Sequence, residues 1–193
     1  MTRHVVGITG ASGAGYAVAF LRRLAALPDG EIHLVVTRHG AGVLEHETGL
    51  TPEALVQRLS DGLPARIVRH DVENLFAPPA SGSFGFRDMT VVPCSMGSLA
   101  EIAAGTSRNL LTRAADVTLK ERRTLVLVPR ETPYGTVHLR NMLSLSEAGA
   151  VILPASPGFY DWPASIEDCY SFVADRILSI LGLPTGRPEW GVP

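Results

Sequence analysis

The chain is predicted to fold as an α/β protein, a parallel sheet covered by helices on both faces. Three observations carry this. Short apolar runs alternate with amphipathic stretches along the whole chain. Residues 32–37 and 124–129 are apolar at nearly every position, as expected of strands buried on both faces. The first apolar run enters a glycine-rich turn, Gly7-Ile8-Thr9-Gly10-Ala11-Ser12-Gly13-Ala14-Gly15, that opens a helix.

Each element follows from local pattern. Residues 5–9 form the first strand. In residues 13–27, Ala17, Phe20, Leu21, Leu24 and Leu27 repeat at helical spacing, and Pro28-Asp29-Gly30 makes the turn that follows. Residues 32–37 are the second strand, 38–46 a helix, 52–59 a short helix and 65–68 a short strand. Residues 90–93 form a strand, 96–104 and 108–120 helices, 124–129 a strand, 136–147 a helix and 150–153 the last strand. In 165–181, Ile166, Tyr170, Val173, Ile177 and Leu181 make one apolar stripe of a final helix. Residues 76–87 lack periodicity; a loop that long in a compact domain is usually functional or mobile.

Composition narrows the class. At 193 residues the chain suits one domain, 1–193, with a substantial core. A net charge of −2 and 46% hydrophobic residues argue against nucleic-acid binding and disorder. No apolar run approaches the roughly 20 residues of a membrane span. There is no signal-peptide pattern at the start. Cys94 and Cys169 make no C-x-x-C pair, and a reducing cytoplasm is expected. The six histidines show no metal-ligand spacing, so no metal site is expected. Mean hydropathy is slightly positive, +0.18, which fits a dense core or apolar surface between subunits. Several short helices apolar on more than one face favour the second.

In doubly wound sheets ligands bind at the carboxyl ends of strands. The glycine-rich turn leaves N–H groups free at a helix start, a phosphate-binding arrangement. Its frame is Gly10-x-Ser12-x-x-Gly15, with a hydroxyl where dinucleotide turns keep their middle glycine. It therefore suits one phosphate or a reactive polar group better than NAD. Thr37-Arg38 ends the second strand without the carboxylate that NAD ribose needs, and NADP survives only through Arg38. Ser95-Met96-Gly97-Ser98 opens a helix and either caps it or receives an anion or ring oxygen. Arg130-Glu131 follows a buried strand; the arginine can grip phosphate and the carboxylate can move a proton. Arg113, Asp116 and Lys120 share a helix face and, in isolation, read as a solvated ion-pair stripe. Taken alone, Tyr160 suits the core and Arg176 the surface. No P-loop and no G-x-S-x-G elbow are present.

Taken together these segments resemble the UbiX-type flavin prenyltransferases. The matching pieces are Thr9-Gly10-Ala11-Ser12-Gly13-Ala14, Ala77-Pro78-Pro79-Ala80-Ser81-Gly82-Ser83 and Pro93-Cys94-Ser95-Met96-Gly97-Ser98. They continue through Arg113-Ala114-Ala115-Asp116-Val117, Leu119-Lys120-Glu121-Arg122-Arg123, Val128-Pro129-Arg130-Glu131 and Pro157-Gly158-Phe159-Tyr160. The likeness spans nearly the whole chain in one order.

The resemblance implies a flavodoxin-like or Rossmann-like subunit in a homododecamer, with sites shared between subunits. It implies reduced FMN as a substrate and dimethylallyl monophosphate as donor, joined at flavin N5 and C6. The product, prenylated FMN, would serve a UbiD-type decarboxylase. By resemblance, Gly10, Ala11 and Ser12 are the flavin turn, and Thr37 stands where serine is usual. Ser95, Met96, Gly97 and Ser98 lie beside the flavin ring, and Arg130 binds flavin and phosphate. Tyr160 and Arg176 hold the prenyl phosphate with Arg113 and Lys120. Glu131 moves a proton, Glu47 comes from a neighbouring subunit, and Trp190 closes the site. The four basic groups would stabilise a leaving phosphate without a metal. Departures are Thr37, Phe76 for tryptophan, Arg140 for glutamate, and Asp161-Trp162 for His-Gln. Two other readings stand beside this one. A phosphopantothenoylcysteine-type decarboxylase would carry Pro-Ala-Ser-Ala-Asn where this chain has Pro-Ala-Ser-Gly-Ser. A non-catalytic FMN carrier would need no phosphate-gripping arginines.

Overall fold

The computed structural model describes residues 1–185. In chain order the strands are β1 (Thr2–Ile8), β2 (Gly30–Val36), β3 (Arg66–His70), β4 (Asp88–Cys94), β5 (Thr124–Pro129) and β6 (Val151–Ile152). The helices are α1 (Ala14–Ala25), α2 (Arg38–Thr48), α3 (Pro52–Ser60), α4 (Met96–Ala103), α5 (Leu110–Lys120), α6 (Thr136–Glu147) and α7 (Ile166–Ile180). All strand pairs are parallel, in the order β3-β2-β1-β4-β5-β6. Of the two doubly wound orders this is the Rossmann one; the flavodoxin order is 2-1-3-4-5.

Alternation along the apolar strands feeds two cores. Val6, Ile8, Leu34, Val126 and Val128 point to the face covered by α1, α3 and α7. Val5, Val35, Met89, Leu125 and Leu127 point to the face covered by α4 and α5. Helix starts are set by local caps. Thr51 precedes Pro52 at the start of α3, Asn109 caps α5, and Ser165 with Asp168 forms a capping box on α7. Helix α1 has no such cap. Its preceding residue, Gly13, is left-handed at φ 109° and has no side chain to offer.

The loop at 76–87 is more ordered than its sequence suggests. It contains 3₁₀ turns at Pro78–Ala80 and Gly82–Phe84. Side chains of α5 and the turn after it hold its carbonyls: Arg113 Nε donates to Ala80 O at 3.1 Å and Arg123 to Gly82 O at 2.6 Å. No helix among the described residues is long and apolar enough to cross a membrane.

Candidate functional site

The strand order reverses between β1 and β4, and the crevice at their carboxyl ends is the expected ligand position. Thr9 stitches these ends together. Its hydroxyl donates to Pro93 O at 2.8 Å and accepts from Ser95 N at 2.7 Å. Ser95 in turn caps α4, accepting from Ser98 N at 3.3 Å and donating to Ser98 Oγ at 3.1 Å. The first N–H groups of α4, at Met96 and Gly97, have no carbonyl one turn back to bond. A Cβ added at Gly97 would meet nothing within 4 Å, so this helix start is open.

Around the β1 turn, three chemistry-bearing side chains converge. Arg130, at the end of β5, donates from Nε to Ser12 O at 3.1 Å. Glu47, on α2, accepts from Gly13 N at 2.9 Å and from Ala14 N at 2.7 Å. It thereby supplies the N-terminal cap that α1 lacks locally. Partial burial pushes the Glu47 carboxyl up. Hydrogen bonds from Ser12, Ala14 N and Gly13 N, with the charge of Arg130, outweigh that and hold it below the ordinary carboxylate value. The turn that reads as a phosphate cradle is thus filled by the protein's own anion. The resemblance places Glu47 in a neighbouring subunit's site. Within the single chain, α2 follows β2 directly and β2 lies beside β1, so Glu47 reaches its own chain's turn.

Two clefts meet at this turn and share Ser12, His46, Glu47 and Arg130. The larger, about 870 Å³, runs over the start of α2 and is also lined by Gly10, Arg38 and His39. A Cβ on Gly10 would lie 2.7 Å from His39 Cβ, so the turn can pass α2 only as glycine. The smaller, about 490 Å³, opens between α1 and α7 and adds Tyr16, Tyr170, Ile166 and Ala155.

Other expected residues sit elsewhere in the single chain. Thr37 caps α2, accepting from Gly40 N at 3.0 Å. Ala11 and Met96 are buried beneath the turn and α4. Arg113 pairs with Asp116 at 2.7 Å, and Lys120 with Glu121, both beside the 78–84 turns and not in either cleft. Glu131 is exposed and accepts from Thr132 N at 2.9 Å. Tyr160 is exposed on the loop after β6, contrary to its reading as a core residue, and Arg176 is exposed on α7. Trp190 lies outside the described residues. Cys94 is fully buried, which pushes its thiol up to about 12 and leaves it unreactive. Sequence reasoning missed His46, Tyr16 and Tyr170. Tyr170 was legible only as part of the α7 stripe, and core contact along that stripe starts at Val173.

A flavoprotein family model matches residues 1–177. The flavin prenyltransferase UbiX of Pseudomonas aeruginosa is 46% identical, over 98% of this chain and 94% of that protein. The chain belongs to the UbiX flavin prenyltransferase family. Its relative from Thermoplasma acidophilum is 44% identical over 94% of this chain and 95% of its own. Among solved structures of the UbiX kind, AnUbiX (PadA1) in complex with FMN and dimethylallyl pyrophosphate superposes with a TM-score of 0.91. It is 42% identical and covers 100% of this chain and 98% of that one. A dodecameric FMN-dependent UbiX-like decarboxylase from Escherichia coli O157:H7 gives a TM-score of 0.90 at 41% identity, covering 97% and 99%.

Proposed function

We propose that this UbiX-family protein transfers a dimethylallyl group from dimethylallyl monophosphate to N5 and C6 of reduced FMN. The prenylated FMN formed would pass to a UbiD-type decarboxylase. The observation that carries the reading is the junction of two clefts at Ser12, Glu47 and Arg130. Two compartments opening on one set of polar groups suit a two-substrate transfer.

The residues present fit an FMN. The larger cleft offers Arg38 and Arg130 to a phosphate, while the open start of α4 and the Ser95 and Ser98 hydroxyls offer polar contacts to a ring. When bound, reduced flavin supplies the nucleophile. The protein's part is to bind, orient and neutralise. The allylic carbon–oxygen bond breaks with its electron pair leaving on phosphate, so that phosphate needs fixed positive charge. Arg130 stands at the junction to supply it. Ionised Glu47, kept so by the start of α1, would set a fixed negative charge at the junction for the positive charge that develops on the allyl group.

Arg113, Lys120, Glu131, Tyr160 and Arg176 would join the site from other copies of the chain. A dodecamer like that of the Escherichia coli relative would bring such elements together. One observation keeps a second reading alive. His46, past β2, lines both clefts, and a decarboxylase of the phosphopantothenoylcysteine type uses a histidine near that strand.

The test is anaerobic incubation with reduced FMN and dimethylallyl monophosphate, then mass spectrometry of the released flavin. A flavin heavier by one dimethylallyl unit is expected. Tightly bound but unmodified FMN would overturn transfer in favour of a decarboxylase or a carrier.

A further inference from the structure

Beyond Gly7 and Val91 the pairing of β1 with β4 stops, and β4 shifts its register against β5 between Val91 and Cys94. The strand ends therefore reach the crevice without a regular ladder between them. Thr9, which is 1% exposed, takes the ladder's place. Its backbone N–H donates to Pro93 O at 3.3 Å. Its hydroxyl donates to the same oxygen at 2.8 Å and accepts from Ser95 N at 2.7 Å. Three hydrogen bonds from one residue thus cross from the β1 turn to the segment that opens α4. On the other side Arg130 N donates to Cys94 O at 3.4 Å, so this segment is held from both neighbouring strand ends. A buried threonine does not do this by default. Thr90, on β4 and equally buried, has a hydroxyl with no partner.

We propose that Thr9 is a positioning residue for the flavin: its hydroxyl fixes the spacing between the turn at 10–12 and the helix start at 95–98, the two halves of one flavin site. This rests on the flavin reading above. Thr9 lines neither cleft and acts through Ser95. A ligand that touches both segments binds best when they are already set at the right separation. If they drift, each binding event must also align them. A ligand that touches one segment is indifferent to the other. Valine matches threonine in shape but has no hydroxyl, so Thr9→Val leaves Ser95 N without its acceptor. The segment relieves that cost by shifting, and the two halves lose their common frame.

The experiment measures Kd by flavin fluorescence for FMN and for lumiflavin, which is the flavin ring without its ribityl phosphate. The proteins are the wild type, Thr9→Val, Thr9→Ser and, as a control, Thr90→Val. Thr9→Val is expected to weaken FMN about tenfold or more and lumiflavin less than about threefold. Thr9→Ser keeps the hydroxyl and is expected to keep both affinities. Thr90→Val, which removes a hydroxyl that bonds nothing, is expected to leave the ratio of the two unchanged. Equal weakening of FMN and lumiflavin in Thr9→Val would mean that Thr9 only supports α4, and it overturns the proposal. So does an unchanged FMN affinity, or a Thr90→Val that shifts the ratio as far. A wild type that binds neither flavin overturns the flavin reading itself. Should Thr9→Val not fold, Thr9→Ala takes its place, with the same selective loss expected and the same results overturning it.

Discussion

Glu47 does two jobs with one carboxylate: it completes α1 and places a fixed negative charge at the junction of the clefts. Its carboxyl titrates below its free value of 4.5. A depressed carboxylate adds stability that is present above about pH 4.5 and is lost as pH falls through the lower folded value. Glu47→Gln is expected to cost about 0.5–1 kcal/mol at pH 7, the low end of remote capping because the residue faces water. The cost should shrink in acid, as urea titrations at pH 7 and pH 3.5 would read. The bond pattern that makes Glu47 matter joins residues 34 apart in sequence, so no local pattern announces it. Ser12 and Arg130 were legible because each lies just after an apolar strand, and strand ends converge in a doubly wound sheet. Gly10 is a second residue-scale test. Gly10→Ala puts a methyl 2.7 Å from His39 Cβ and should cost about 1–3 kcal/mol while weakening FMN binding, measured by flavin fluorescence.

Among elements, the order and type of strands and helices were readable because strand and helix periods alternate cleanly. The ends of the elements were not. The expected strand 65–68 is Arg66–His70, because His70 continues the pairing with β2. There His33 Nδ1 lies 2.8 Å from His70 Nε2, with Phe84 edge-on. Charged groups facing the pair are Glu31 from β2, Arg3 from β1 and Arg66 from β3. Burial first and His70 second push His33 down to about 4, from 6.5. The unfolded chain therefore takes up a proton that the folded one refuses. Stability should fall by about 3 kcal/mol between pH 6.5 and pH 4, with full strength retained above pH 6.5. His33→Phe should flatten that slope in urea titrations; an unchanged slope would place its cause elsewhere. The α7 stripe teaches the complementary lesson. Periodicity shows which face of a helix is apolar, but not where along it the core stops and a cleft starts.

At the scale of the whole molecule, one chain leaves much apolar surface uncovered. Phe76 is fully exposed, Trp162 is 88% exposed, and Leu139 and Leu143 stand out from α6, which buries only Leu145. Each such side chain is worth about 1.5–3 kcal/mol once covered. We expect light scattering to find a large homo-oligomer, and Phe76→Glu together with Leu139→Glu to reduce it to smaller species with lower turnover. A wild-type monomer with full activity would contradict a shared site. Arg113, Lys120 and Tyr160 reach neither cleft of the single chain; under the proposed reading they complete the site from other copies, an arrangement that sequence motifs can carry and one fold cannot.

Flavin binding at the junction of the two clefts, beside Ser12, Glu47 and Arg130, is the central claim. A crystal structure of the protein with FMN tests it most directly. Flavin lying in the larger cleft against Gly10 and Arg130, with Glu47 of the same chain still on Gly13 and Ala14, is the expected result. Flavin bound without contact to Ser12 or Arg130 would contradict it.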